Sequence, residues 1–91
     1  MRVELSARAD AQLDGIAAFL TASNPEAARS VLDRIRQVID LLADFPSLGP
    51  VWRGGTRAVL VTGLPYRVHY RVEADRVVVV TIAHVRQRPP F

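Results

Sequence analysis

Hydrophobic residues along the chain follow two different periods, and the change between them falls near residue 50. Arg2 to Leu5 opens as a short strand, with Val3 and Leu5 on one face of the pleat. Ser6 suits a helix N-cap, and Asp10 sits where a carboxylate favours the positive end of the helix dipole. Leu13, Ile16, Ala17 and Leu20 follow at helical spacing, with Gly15 weakening the segment slightly and Thr21-Ala22-Ser23 ending it. Asn24-Pro25-Glu26 restarts a helix: a capping side chain, a proline at the first helical position, then an acid. Val31, Ile35, Val38, Ile39 and Leu42 form its apolar stripe, and Arg29, Asp33, Arg36 and Asp40 form a solvated face with i,i+4 pairing. Pro46 and Gly49-Pro50 stop it, so the two segments predict a helical hairpin with a very short connection.

After that point the spacing is that of strands. Thr56 to Thr62 and Tyr66 to Glu73 read as strands joined by Gly63-Leu64-Pro65, and Ala74-Asp75 turns the chain into Arg76 to His84. The last of these is apolar on both faces, which predicts a central position in the sheet. The expected fold is therefore α+β: an N-terminal strand, an α-helical hairpin, then a three-stranded antiparallel meander, forming one sheet packed against the helices. In Tyr66 to Glu73 strict alternation places Tyr66, Val68, Tyr70 and Val72 on one face, and Arg67, His69 and Arg71 on the other.

Composition narrows the classes. Ninety-one residues, 49% of them hydrophobic, suit one packed domain spanning 1–91. A chain this short buries only about two thirds of its unfolded surface, so it gains from a partner. It holds no cysteine, which excludes disulfides and thiolate metal sites and fits a cytoplasmic protein. The charged N-terminus lacks the apolar core of a signal peptide, and Val77 to Val80 is far too short to span a bilayer, so no membrane association is expected. The net charge of +3 and a sequence pI near 10.6 come from twelve basic residues that are all arginine. Arginine stays protonated and cannot serve as a general base, while a basic balance favours acidic partners.

Few residues offer chemistry. His69 and His84 stand fifteen positions apart without the spacing of a metal motif, so neither a metal site nor a cofactor is expected. Ser6, Ser23, Ser30 and Ser47 lack the context of a nucleophile elbow, and Gly54-Gly55 precedes a strand rather than the helix of a phosphate loop. Trp52 reads as a lid on the sheet–helix core, and Tyr66 and Tyr70 as core residues. The basic set is more informative: Arg57, Arg67 and Arg71 fall on adjacent predicted strands, and Arg86 and Arg88 follow the last one. Such guanidiniums suit bidentate bonds to phosphates or carboxylates. They equally suit a solvated sheet face paired with Glu73 and Asp75, and spacing alone does not choose.

Several segments, in this order and spacing, resemble the ParE/RelE superfamily of type II toxin–antitoxin toxins, closer to the ParE branch. They are Asn24-Pro25 with its Ala-rich helix start, Phe45-Pro46 with Gly49, Pro65-Tyr66-Arg67-Val68 with Tyr70, and Ile82-Ala83-His84 with Arg86. The resemblance covers nearly the whole chain and implies the same strand–helix–helix–strands order.

RelE-like members are ribosome-dependent mRNA nucleases, and ParE-like members are taken to poison DNA gyrase through protein contact. The nuclease branch uses lysines on the strand before the Tyr-Arg strand, an arginine in that strand and a tyrosine in a C-terminal helix. Here the arginine matches Arg67, but the lysine positions fall near Ala58 and Leu60, and no such tyrosine follows. His84 is the remaining candidate for nuclease chemistry beside Arg67, yet its place on an apolar strand reads as structural. The resemblance thus implies a gyrase-directed inhibitor, with a nuclease or a non-toxic binding module as alternatives. It assigns Arg57, Arg67, Arg71, Arg86 and Arg88 to target binding. It also implies a cognate ParD-like antitoxin encoded next door, no direct sequence-specific DNA binding by this chain, and docking in the groove between the helical hairpin and the sheet edge.

Overall fold

Strand β1 (Arg2–Leu5) ends at Ser6, whose backbone and side chain both fasten the start of helix α1 (Ala7–Ser23). The Ser6 amide donates to Val79 O at 2.9 Å, and its hydroxyl donates to Val80 O at 2.9 Å while accepting from the Ala9 amide at 3.0 Å. One residue thus caps the helix and ties it to the sheet. Asn24 serves both helices in the same economical way. Its amide closes α1 on Leu20 O at 2.7 Å, and its side chain accepts from Ala27 N at 3.2 Å to open α2 (Pro25–Asp44). The hairpin therefore has a single connecting residue.

The computed structural model describes residues 1–87. After α2 come β2 (Arg57–Leu60), β3 (Tyr66–Val72) and β4 (Arg76–His84), in a four-stranded sheet of order β1-β4-β3-β2. Strand β1 runs parallel to β4, and the other pairings are antiparallel. The expected architecture is therefore the observed one, with β4 flanked on both sides as its two apolar faces require.

The helices cover one sheet face. Ile35, Ile39 and Leu42 of α2 and Ala9 and Leu13 of α1 meet Val68, Tyr70, Val77, Val79 and Ile82 in one core. Removing a side chain such as Leu42 from water contributes about 1.5–3 kcal/mol, so the stripe on α2 supplies much of the helix–sheet attachment. The i,i+4 pairs expected on the opposite face of α2 are not formed. Ion pairs among the described residues gather instead around Arg2 and Arg76, with Glu4, Glu73 and Asp75.

Two departures from simple alternation matter. His69 pairs with Thr81 but Tyr70 pairs with Val79, so Val80 is an extra residue in β4, a β-bulge. Beyond the bulge β1 has already ended, and Gln12 of α1 takes over the edge of β4. Its Oε1 accepts from the Ile82 amide at 2.7 Å and from the Thr81 hydroxyl at 3.0 Å. Strand β2 is also shorter than the predicted Thr56 to Thr62, because the chain already turns at Val61, whose amide bonds Tyr66 O at 2.9 Å. Gly63 makes that turn with a φ of 77°, a conformation open to glycine, and the Arg34 guanidinium holds it by donating to Thr62 O. No helix among the described residues is long and apolar enough to cross a membrane.

Candidate functional site

Register sorts the basic residues. On the sheet face away from the helices, Leu60, Arg67 and Ala83 form one cross-strand row. Ala58, His69 and Thr81 form the next, and Arg71, Val78 and Glu4 a third. Arg67 and Arg71 therefore share this outer face, as alternation predicted. Arg57 does not join them: it pairs with Tyr70, on the helix side of the sheet edge, and its Nη1 donates to Gly49 O at 2.8 Å. Arg86 lies beyond the end of β4, with its amide donating to His84 Nδ1 at 3.2 Å. Arg88 falls outside the described residues.

The outer face is not uniformly wet. His69, expected on a polar surface between two arginines, is 1% exposed. The cause is Trp52, which lies on this face rather than over the sheet–helix core. Its ring stands edge-on to His69, with centroids 5.4 Å apart, and the Arg67 guanidinium lies 5.5 Å from its ring centre. A guanidinium on an indole face is held by cation–π attraction and keeps most of its five donors for other partners. Arg67 Nη1 also reaches Val85 O at 3.5 Å. Burial, and then the neighbouring Arg67 charge, push the His69 imidazole below its ordinary pKa, which favours its neutral form.

Arg67 and Arg71 have no carboxylate within ion-pair distance among the described residues. The acids expected to neutralise them, Glu73 and Asp75, pair with Arg76 and Arg2. Among the described residues the carboxylates thus gather at the β1 margin, and the outer face is cationic over β3. Arg67 is flanked by Leu60 and Ala83, neither of which moves a proton.

A second feature lies at the same end of the sheet, on the helix side. A groove of about 400 Å³ opens between α1 and the ends of β3 and β4, with Ile16, Ile82 and Tyr66 among its lining residues. Phe19 stands at it with 73% of its surface exposed, and His84 lines it edge-on to Tyr66, ring centroids 5.7 Å apart. Gln12 and Gln87 add polar groups. His84 is thus partly open, and its Nδ1 accepts from the Arg86 amide in the following turn. Among the described residues, no group of three or more His, Cys, Asp or Glu is placed to hold a metal ion.

Comparison with known proteins places this geometry in a family. The family described as "ParE toxin of type II toxin-antitoxin system, parDE" matches residues 3–89. The chain belongs to the ParE toxin family. A relative from Sinorhizobium fredii (strain NBRC 101917 / NGR234), named "Putative toxin Y4kP", is 34% identical over 90 residues, spanning 98% of this chain and 93% of the relative. A chain of the solved chromosomal ParDE TA system from P. aeruginosa shares the fold, with a TM-score of 0.82. It is 22% identical to this chain, and the match covers 92% of this chain and 95% of that one.

In this ParE-family chain the Trp52–Arg67–His69 arrangement escaped the sequence reading. A lone Trp in a Pro/Gly-bounded loop carries no sign of which sheet face its loop crosses to. The nearest hint was the row of polar residues on β3, a face that needed some apolar cover at His69.

Proposed function

We propose that this ParE-family chain, acting as one unit over residues 1–91, inhibits bacterial growth by binding and poisoning DNA gyrase. In this reading a cognate ParD-like antitoxin neutralises it. One observation carries the choice of protein contact over RNA cleavage: the surroundings of Arg67. Cleavage through a 2′-hydroxyl needs groups that take and give a proton beside the cation that steadies the phosphate. Arg67 has an indole on its face, Leu60 and Ala83 on either side, and a buried histidine beneath. That setting suits holding a carboxylate or phosphate, and beside Arg67 it offers no solvent-open proton carrier among the described residues.

The antitoxin part rests on the groove at α1. Its apolar lining and the exposed Phe19 suit the apolar face of an amphipathic segment that folds as it binds. The cationic balance of the chain favours an acidic segment. A pull-down with the product of the neighbouring gene tests the partner, and recovery of no complex counts against it.

Expression of the chain alone in bacteria tests the mode of action. Filamentation with a DNA-damage response supports gyrase poisoning. Rapid translation arrest with cut mRNA, lost on Arg67→Ala, would replace it with nuclease action, and normal growth would leave only a binding role.

A further inference from the structure

The outer sheet face carries two cations that meet no carboxylate among the described residues, and their spacing is fixed. Arg67 and Arg71 project from one strand, four positions apart, so their origins are separated by about 13 Å at about 3.3 Å per residue. Between them, His69 is sealed beneath Trp52, which presents a half-buried indole at the centre of the patch. Apolar groups border both cations: Leu60, 51% exposed, beside Arg67, and Val78 beside Arg71. Past Val78 the arginines are paired, Arg2 with Glu4 and Asp75 and Arg76 with Glu4 and Glu73. Neither helix covers this face, since both lie on the other side, and the loop segment at Trp52 packs over its centre.

We infer that this face is the docking surface for an acidic amphipathic protein segment, with two carboxylates bound by Arg67 and Arg71 and an apolar side chain between them resting on Trp52. The inference rests on the reading of the chain as a toxin that acts by protein contact, and it specifies where that contact is made. Charge complementarity selects the occupant: two guanidiniums without a carboxylate partner among the described residues, flanking an aromatic, call for two anions flanking an apolar group. In a helix the separation of the two arginines is about nine residues at about 1.5 Å per residue, so carboxylates about eight apart, near two turns on one face, come within side-chain reach of both. In an extended segment they stand about four residues apart.

The surface also has a defined edge. Arg57, turned to Gly49 on the helix side, contributes nothing to it. The groove at α1 opens on the helix side, so a segment filling that groove and a segment on the outer face do not occupy the same surface.

Trp52 is the single tryptophan of the chain, so its fluorescence reports on this face alone. The test uses the full chain, the variant Arg67→Glu/Arg71→Glu, and the control Arg29→Glu on α2, each verified as folded by circular dichroism. Two probes are titrated: a synthetic amphipathic peptide with two glutamates eight residues apart around a leucine, and the same peptide with glutamine in place of glutamate. The expected result is a saturable change in Trp52 emission with the glutamate peptide, weakened at least tenfold in the double variant and unchanged in the control. An equal response to the glutamine peptide, or equal binding by the double variant, overturns the inference. So does tighter, arginine-dependent binding of a single-stranded RNA oligonucleotide.

The gyrase reading fails separately. If the unaltered chain leaves purified gyrase untouched, that reading falls while the peptide titration still decides the surface. If the chain inhibits gyrase and the double variant inhibits it equally, the surface assignment falls and the gyrase reading stands.

Discussion

The Tyr70 hydroxyl accepts the Gly49 amide at 2.9 Å, joining the middle of β3 to the loop that follows α2. The same hydroxyl donates to Pro46 O at 2.7 Å, and the Tyr70 side chain is fully buried. This loop goes on to deliver Trp52 to the outer face, so the phenol anchors one side of the sheet to the site on the other. Tyr70→Phe keeps the ring but strips a buried amide and a carbonyl of their partner. A stability loss of about 1–3 kcal/mol is expected, read from urea unfolding. A loss below a few tenths would mean that water replaces the phenol without cost.

Gly49 itself sits where nothing larger fits. A Cβ there would stand 2.7 Å from Ala58 O and 3.1 Å from Tyr70 Cε1, and the first of these is backbone that cannot swing away. Gly49→Ala should therefore destabilise by about 1–3 kcal/mol through forced backbone movement. Gly15 gives the opposite sign, because a Cβ on it meets nothing within 4 Å. Gly15→Ala should stabilise α1 by about 0.5–1 kcal/mol, and thermal melts of the two variants should move in opposite directions.

His69 makes stability depend on pH. Its pKa in the fold lies below the ordinary 6.5, through burial first and the Arg67 charge second. Well above 6.5 the imidazole is neutral in both states and its contribution is whole. As pH falls below that value the unfolded chain takes up a proton that the folded chain refuses. Stability then declines until pH drops past the folded-state pKa. Denaturant unfolding from about pH 8 to about pH 5 should show this decline in the unaltered chain and a shallower one in His69→Gln. Identical slopes would contradict the burial of a neutral His69.

Gln12 tests the edge device on β4. Its amide oxygen satisfies the Ile82 amide and the Thr81 hydroxyl where β1 has run out. Gln12→Leu leaves both donors without that acceptor and should cost about 1–3 kcal/mol. Hydrogen exchange at the Ile82 amide should rise more than at Val79, which lies within the β1 pairing.

Much of the fold was legible in particular residues. Ser6 and Asn24-Pro25 announced both helix starts by capping chemistry, and the stripe from Val31 to Leu42 gave the buried face of α2. Apolarity on both faces of Arg76 to His84 gave its central place. The bulge at Val80 was hidden, because a run of four valines has no alternation for an extra residue to interrupt. Arg57 was grouped with Arg67 and Arg71 because strand adjacency can be read from a sequence, whereas the facing of a partner strand depends on register. That register is set here by the turn around Gly63. Trp52 was assigned to the wrong face for a related reason: a loop that rounds a sheet edge leaves no periodic trace.

The central claim is that this ParE-family chain acts through protein contact on DNA gyrase. Its most direct test is a supercoiling assay with purified gyrase and relaxed plasmid, run across a toxin titration and scored also for cleaved DNA. The account predicts inhibited supercoiling with accumulating cleavage complexes, both abolished by prior addition of the cognate antitoxin. Unchanged supercoiling and no cleaved DNA at molar excess of folded toxin would contradict it.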